Sequence, residues 1–114
     1  MSQKRFEQLM GKLTNFAIIF KDSTGIIQDW NVGAENLFGW NRNEAIGQNI
    51  KMIYTPDDRK HGASETEMRT AAEKGFAEDE RWHLRKDGSY FFASGLLHAI
   101  REEGKLVCFV KIEI

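Results

Sequence analysis

The chain has 114 residues, of which 41% are hydrophobic and 29% are charged, with a formal net charge of -1. This length suits one compact domain built around a single core. The near-neutral charge excludes the broad positive field that non-specific nucleic-acid binding needs, and no apolar run is long enough to span a bilayer. With a single cysteine and no signal-peptide core, the sequence predicts a cytoplasmic protein.

The first segment predicts an amphipathic helix over residues 1–15, which flanks a domain over residues 16–114. The apolar stripe of this helix has helical spacing and comprises Phe6, Leu9, Met10 and Leu13. Two β-rich runs then flank the turn residues KDSTG and predict a hairpin. The helical stripe needs an apolar surface to cover, either in its own subunit or in a second copy.

Several short helices are predicted between the first hairpin and a longer helix. Asn31 is placed to cap the first of them, and Asn41 with Glu44 forms a capping box for the next. A third short piece is predicted at NIKMIY. Ser64 and Glu67 predict a capping box at the start of the longest helix, and the acid-rich stretch ETEMRTAAEKGFAEDE is typical of a solvated face.

The last third of the sequence predicts three strands. AEDERWHLR and SYFFASGLLHAI flank KDG, which is a hairpin signature, and REEG leads into KLVCFVKIEI. Pairing these strands with the first hairpin gives an α+β domain. We expect a five-stranded antiparallel sheet with the short helices on one face.

Three stretches together resemble the PAS sensory domain: IIQDWNVGAENLFGW, the following NEAIGQN and, above all, WHLRKDGSYFFAS. The likeness runs from about residue 16 to the end of the chain. It implies a signal-input module of the kind found in bacterial two-component proteins. In that family the space between sheet and helices can hold a small molecule or cofactor, and flanking helices carry the signal to an effector such as a histidine kinase.

The resemblance also bears on which cofactor the interior could hold. In the light-sensing branch a reactive cysteine follows Gly-x-Asn on the third short helix, where this chain has Ile50, so a flavin–cysteinyl adduct is excluded. Cys108 lies in the last strand and is expected to be an ordinary buried residue. In the oxygen-sensing branch a histidine ligates haem, and His61 falls near that place. Asp79 stands where that branch presents an arginine, which disfavours haem and leaves a non-covalent small molecule open.

The loop of the last hairpin leaves two strand registers open. If residues 86–88 form a three-residue loop, Trp82 pairs with Phe92 and Leu84 with Tyr90; a two-residue loop pairs Trp82 with Ala93 instead. A one-residue slip exchanges the two faces of the sheet. We favour the three-residue loop because it collects the bulky aromatic residues on one face.

With that register the face toward the helices carries the candidate ligand-binding residues. Two outcomes stay open: Arg81 and His83 meet a polar or anionic ligand in the room left by Ala93 and Gly95, or other side chains fill that room while Arg81 and His83 reach out to water. The full candidate set is Ile50, Arg81, His83, Phe91, Ala93, Gly95 and Leu97.

We predict a dimer interface on the opposite face, because so many aromatic side chains should not remain exposed to solvent in a monomer. It combines Trp82, Tyr90 and Phe92 with the N-terminal stripe. No motif nominates catalytic residues or metal ligands. Three interpretations therefore compete: a signal-input module that binds a small molecule, a ligand-free dimerisation and relay platform, or a small α+β enzyme. KIEI lacks the acidic exit motif and helix that usually lead to an effector, so the sequence leaves open whether the chain is a fragment.

Overall fold

A computed structural model describes residues 4, 5, 8 and 15–114. It contains one five-stranded sheet with the order β2-β1-β5-β4-β3, in which every neighbouring pair is antiparallel. The predicted five-stranded antiparallel sheet is therefore confirmed. The strands are β1 (Ala17–Lys21), β2 (Ile27–Trp30), β3 (Phe76–Leu84), β4 (Tyr90–Glu102) and β5 (Lys105–Glu113).

Five short helices lie between β2 and β3 in the chain and cover one face of the sheet. They are α1 (Val32–Phe38), α2 (Arg42–Ala45), a 3₁₀ helix (Ile50–Ile53), α3 (Pro56–Lys60) and α4 (Ala63–Lys74). The predicted N-terminal stripe of Phe6, Leu9, Met10 and Leu13 lies outside the described residues. The stripe and the boundary at residue 15 remain predictions.

The corner between β2 and α1 is fixed by the side chain of Asn31. Its Oδ1 accepts hydrogen bonds from the backbone amides of Ala34 and Ile18, both at 2.9 Å, and its Nδ2 donates to the carbonyl of Phe16. The predicted cap is confirmed, and the same amide also ties the helix to β1. The predicted capping box of Asn41 and Glu44 is confirmed as well.

The start of α4 differs from the prediction. Gly62, in a left-handed conformation with φ of 69°, occupies the cap position, and no side chain caps the helix. Ser64 and Glu67 are both buried, so they do not form the predicted capping box. Glu67 instead faces the sheet, where positive charges hold it, and the interpretation of this acidic stretch as a solvated face is wrong at this residue.

The last hairpin has the three-residue loop. Trp82 pairs with Phe92 and Leu84 with Tyr90, and Gly88 has a φ of 87°, which a residue with a side chain rarely adopts. Alternate residues of β3 and β4 therefore point to the helices or away from them. We refer to these sides as the inner and outer faces of the sheet.

The inner face packs against the helices in two apolar clusters. One lies beneath α1 and the 3₁₀ helix and includes Trp30, Phe38 and Ile50, and the other lies beneath α4 and includes Ala71, Leu97 and Phe109. Cys108 is buried, as predicted. Between the two clusters the inner face carries charged side chains, which form the candidate site.

Candidate functional site

The predicted ligand-binding residues of β3 and β4 share the inner face. His83 pairs with Phe91 and Arg81 with Ala93, and cross-strand partners project from the same side of a sheet. Leu97 and Ile50 are on this side too, but each belongs to a different apolar cluster. The structure thus brings four of the candidates next to one another and sets Leu97 and Ile50 at the two ends.

The room expected beside Gly95 is taken by a side chain from β5. A Cβ atom on Gly95 would lie 2.5 Å from Oε2 of Glu113 and would also overlap the carbonyl of Ile112. The absence of a side chain at Gly95 therefore accommodates a buried carboxylate of the same chain.

That carboxylate belongs to a network that we call the inner ionic cluster. It contains three acids, four bases and one phenol, contributed by β1, β3, β5, α4 and the end of the 3₁₀ helix. All of these side chains except that of Arg81 are buried. The members are Lys21, Tyr54, Glu67, Asp79, Arg81, His83, Lys111 and Glu113.

Lys111 lies at the centre of the inner ionic cluster. Its Nζ is 2.5 Å from Oδ2 of Asp79, 3.0 Å from Oε1 of Glu67 and 3.5 Å from Oε1 of Glu113. It also donates to the hydroxyl of Tyr54 at 2.9 Å, and that hydroxyl donates to Glu67 at 2.8 Å. One ammonium group thus links β3, β5, α4 and the end of the 3₁₀ helix, so the cluster holds the sheet and the helices together.

Arg81 closes the cluster on the side nearest to solvent. Its Nε lies 2.8 Å from Oε2 of Glu67 and 2.9 Å from Oδ1 of Asp79, and its Nη1 lies 3.2 Å from Oδ2 of Asp58. The side chain is 25% exposed. Arg81 therefore binds carboxylates of its own chain.

His83 is fully buried and contacts acceptors at both ring nitrogens. Nδ1 lies 2.9 Å from the carbonyl oxygen of Ile53, and Nε2 lies 3.0 Å from Oδ2 of Asp79. The ring meets those of Tyr54 and Phe38 edge to face. The alternative in which His83 reaches out to water is therefore wrong.

Four buried side chains carry polar atoms with no hydrogen-bond partner among the described residues. They are Nζ of Lys21, Oγ of Ser64, Oε2 of Glu67 and both carboxylate oxygens of Glu113. Of these atoms, Oε2 of Glu67 lies in an ion pair with Arg81. Burial, together with the nearby charge of Lys111, lowers the pKa of Lys21 to about 7. At neutral pH Lys21 is therefore poised between its charged and neutral forms.

The other pKa shifts follow from the same network. Burial alone would raise the pKa of Asp79, but the charges and hydrogen bonds of Lys111 and His83 outweigh it and hold that pKa well below its ordinary value. Burial and the carboxylates of Glu67 and Asp79 raise the pKa of Tyr54 well above its ordinary value. Asp79 is thus ionised and Tyr54 is a hydrogen-bond donor throughout the neutral range.

Three members of the cluster bring potential metal-ligand atoms within 4.8 Å of one another: Asp79, His83 and Glu113. The ammonium of Lys111 already lies against both carboxylates. A divalent cation at that place would be repelled strongly by this buried positive charge. We therefore describe these residues as part of an ion-pair network and do not assign a metal to them.

His61, the predicted haem ligand, is apart from the inner ionic cluster. It follows α3 at the surface, its side chain is 69% exposed, and its Nδ1 lies 2.8 Å from the carbonyl of Asp57. The structure does not bring His61 together with any other candidate residue, and its role in haem binding stays a prediction.

Sequence reasoning missed six members of the cluster: Lys21, Tyr54, Glu67, Asp79, Lys111 and Glu113. The alternation of side chains along the strands could have placed some of these residues on the inner face. Asp79 is two residues from Arg81 and so had to share the inner face on which Arg81 was placed. Lys111 and Glu113 share a face of β5 with Phe109, whose apolar side chain favours the buried side, but no face was predicted for this strand. For Glu67 the sequence gives no such indication, because acids on helices are usually solvated.

The outer face presents an aromatic group that we call the outer aromatic patch, made of Trp82, Tyr90 and Phe92. Their exposed fractions are 55%, 53% and 56%, and the rings of Trp82 and Phe92 meet edge to face at 5.7 Å. The patch forms one wall of an open groove of about 600 Å³, whose other lining residues include Asp57 and Glu80. The three aromatic residues predicted for an interface therefore lie together on one surface.

Among the described residues, no helix has both the length and the apolar character needed to cross a membrane.

Comparison with known proteins identifies the relatives of this domain. Two-component system protein A of Emericella nidulans is 36% identical over 107 residues, which cover 94% of this chain and 16% of that protein. Sensor protein FixL of Bradyrhizobium diazoefficiens is 41% identical over 58 residues, which cover 50% of this chain and 12% of that protein. The chain therefore spans less than a fifth of the length of these two relatives.

The fold has a similar counterpart among solved structures. The PAS domain of a protein from Colwellia psychrerythraea superposes with a TM-score of 0.87 at 29% sequence identity, over 97% of this chain and 93% of that one. A family model described as PAS fold matches residues 4–112. With its five-stranded sheet, its helical layer and this match over nearly its whole length, the chain belongs to the PAS fold family.

Proposed function

We propose that this domain is a signal-input module that associates with a second copy through the outer face of its sheet and relays the signal to an attached effector. The observation that carries the proposal is the outer aromatic patch. Three neighbouring aromatic side chains, each about half exposed, form a larger contiguous apolar surface than isolated surface residues do. Aromatic residues of this kind are enriched in the cores of protein interfaces.

Further apolar side chains extend the outer aromatic patch along the sheet. Leu96, on β4, pairs with Ile112 of β5 on the same face, and Ile114 is also exposed. An interface over this face would bury them together with the patch. The apolar stripe predicted for residues 6–13 has the character needed to cover part of it, from the same subunit or from the partner.

The relatives support a role in signalling. One is a two-component system protein and the other a sensor protein, and in each the matched region is a small part of the whole. We infer that this domain supplies an input to another part of such a protein. We propose a histidine kinase as the effector, a cytoplasmic location and no catalytic activity in this domain itself.

Analytical ultracentrifugation of the wild type and Phe92→Glu tests the proposed association. We expect a dimer for the wild type and a monomer for the variant, because a charge in the middle of an apolar interface loses its hydration. Val32→Glu is the matched control, since Val32 is 42% exposed but lies on α1, away from the outer face. A monomeric wild type, or a Phe92→Glu protein that still dimerises, contradicts the proposal.

A second candidate function is the sensing of a small polar molecule in the interior, which the unpartnered polar atoms of Lys21, Ser64 and Glu113 favour. Buried polar atoms without partners are rare in native proteins. Native mass spectrometry with an ultraviolet–visible spectrum tests this candidate. A stoichiometric bound compound supports it. A native mass equal to that of the polypeptide alone, together with no binding in a metabolite screen, contradicts it.

A further inference from the structure

The hydrogen-bond partners of His83 determine how many protons its ring carries. A carbonyl oxygen can only accept a hydrogen bond, so Nδ1 must donate to Ile53. The partner of Nε2 is Oδ2 of Asp79, and Oε1 of Glu113 is 3.5 Å away, so Nε2 faces two carboxylates. A neutral imidazole has one N–H and would point a lone pair at one of these acceptors. The arrangement is satisfied when both ring nitrogens are protonated.

The surrounding charges favour the same state. The acids of the inner ionic cluster supply three negative charges, and Lys111 and Arg81 supply two positive ones. When Lys21 is neutral, a protonated His83 brings the charge of the inner ionic cluster to zero, and Asp58, which also contacts Arg81, adds a negative charge at its edge. Five elements supply the charged and titratable groups around the ring, while α1 and β4 contribute the rings of Phe38 and Phe91. These groups are Lys21 from β1, Tyr54 from the end of the 3₁₀ helix, Glu67 from α4, Asp79 and Arg81 from β3, and Lys111 and Glu113 from β5.

We propose that the interior of this domain is a binding site for one proton, held by His83 at neutral pH, and that its release frees the carboxylate of Glu113 at the end of β5. Both oxygens of Glu113 lack hydrogen bonds to the described residues, so its buried charge depends on the nearby cations His83 and Lys111. Once His83 is neutral, Lys111 must balance the charges of Asp79, Glu67 and Glu113 with the help of Arg81 alone.

The end of β5 is where such a change reaches the rest of the sheet. Glu113 pairs with Ala17 of β1 on one side and with Gly95 of β4 on the other. Movement of its side chain toward solvent would therefore disturb both neighbouring strands. The use of this change as a signal rests on the proposed function, whereas the proton site itself does not.

Nuclear magnetic resonance of the ¹⁵N-labelled full chain tests the proton site directly. At pH 7.5 we expect both ring nitrogens of His83 to have the chemical shifts of a doubly protonated imidazole. The ring nitrogens of His61, whose side chain is 69% exposed, provide an internal reference in the same spectrum. A singly protonated His83 at pH 7.5, including one whose Nε2 accepts a hydrogen bond from a protonated carboxyl group, overturns the proposal.

Two matched variants test the dependence on Glu113. Glu113→Gln removes one of the three negative charges, so we expect the doubly protonated fraction of His83 at pH 7.5 to fall clearly. Glu80→Gln makes the same change on the outer face and should leave that fraction unchanged. Equal behaviour of the two variants overturns the role of Glu113.

A pH titration of the backbone amides tests the release of Glu113. We expect the Ala17 resonance to move over the same pH range as the His83 ring, and that of Leu106, near the other end of β5 and beyond the residues paired with β1, to stay in place. Changes confined to the ring overturn the release. Because the ring can be observed whether or not the protein dimerises, failure of this inference and failure of the proposed function give different results.

Discussion

Lys21 provides a quantitative test of the buried charge network. Its Nζ is buried with no hydrogen-bond partner among the described residues, and its pKa is lowered from 10.5 to about 7 by burial and by the charge of Lys111. Lys21→Met removes the amine and keeps a flexible apolar side chain of similar length. We expect this variant to be more stable than the wild type, by an amount that depends on pH.

The sign follows from the number of protons bound in each state. Between pH 7 and pH 10.5 the unfolded chain keeps the proton of Lys21 and the folded protein has lost it, so stability rises with pH over this window. Below pH 7 the folded protein buries the charged form, and the full cost is present. A shift of 3.5 pH units corresponds to at most about 5 kcal/mol.

The expected gain in stability from Lys21→Met is therefore largest in acid. From the same two pKa values, the gain at pH 6.5 should exceed the gain at pH 9.5 by about 3 kcal/mol. Urea unfolding followed by tryptophan fluorescence at the two pH values measures the difference. Lys105→Met, on the exposed start of β5, should change stability by less than about 0.5 kcal/mol at both. A Lys21→Met variant that loses stability at pH 6.5 would refute the reasoning, because Lys21 would then be a paired, charged residue.

Three further stability measurements test other parts of the structure. Gly95→Ala should cost about 2 kcal/mol or more by pushing a Cβ atom into the end of β5, whereas Ser94→Ala on the exposed side should be nearly neutral in urea unfolding. Asn31→Ala should cost more than Asn41→Ala by about 1 kcal/mol or more in thermal unfolding, because the buried Asn31 also binds β1. Asp79→Asn should lower the free energy of unfolding by about 3 to 5 kcal/mol at pH 7. Below about pH 4 the difference in stability between wild type and variant should narrow, because Asp79 takes up a proton in the unfolded wild type but stays ionised in the folded one. Equal costs within either pair, or a constant difference for Asp79→Asn between pH 7 and pH 3, would contradict the corresponding contacts.

The fold could be predicted because local chemistry determines its main steps. Alternating residues in β3 and β4, with a glycine suited to a left-handed conformation at residue 88, set the hairpin register. Polar caps such as Asn31 set the starts of short helices. Each of these features depends on residues within a few positions of one another, so a single sequence contains the information needed.

The inner ionic cluster could be predicted only in part, because it depends on contacts between distant residues. Glu67 is an ordinary helical acid until Lys111 is brought 3.0 Å from it by the pairing of β5 with β1 and β4. Asp79 is likewise paired with Lys111, which comes from a distant strand. In the sequence it was considered only as the residue that stands where the oxygen-sensing branch has an arginine. Arg81 and His83 were placed on the correct face, and their shared partner Asp79 is only two and four residues away. Their other partners, Glu67 for Arg81 and the carbonyl of Ile53 for His83, are distant in sequence and could not be identified from local patterns.

The strand that carries the buried carboxylate also connects the two faces of the sheet. Successive residues of a strand point to opposite faces, so Glu113 is buried on the inner side while Ile112 projects to the outer side. Ile112 pairs there with Leu96, which extends the outer aromatic patch. A shift of the end of β5 large enough to expose Glu113 must also displace Ile112, because the two share a peptide bond. Charge balance inside the domain and the surface proposed for association are therefore mechanically linked through β5, and no separate pathway between them is needed.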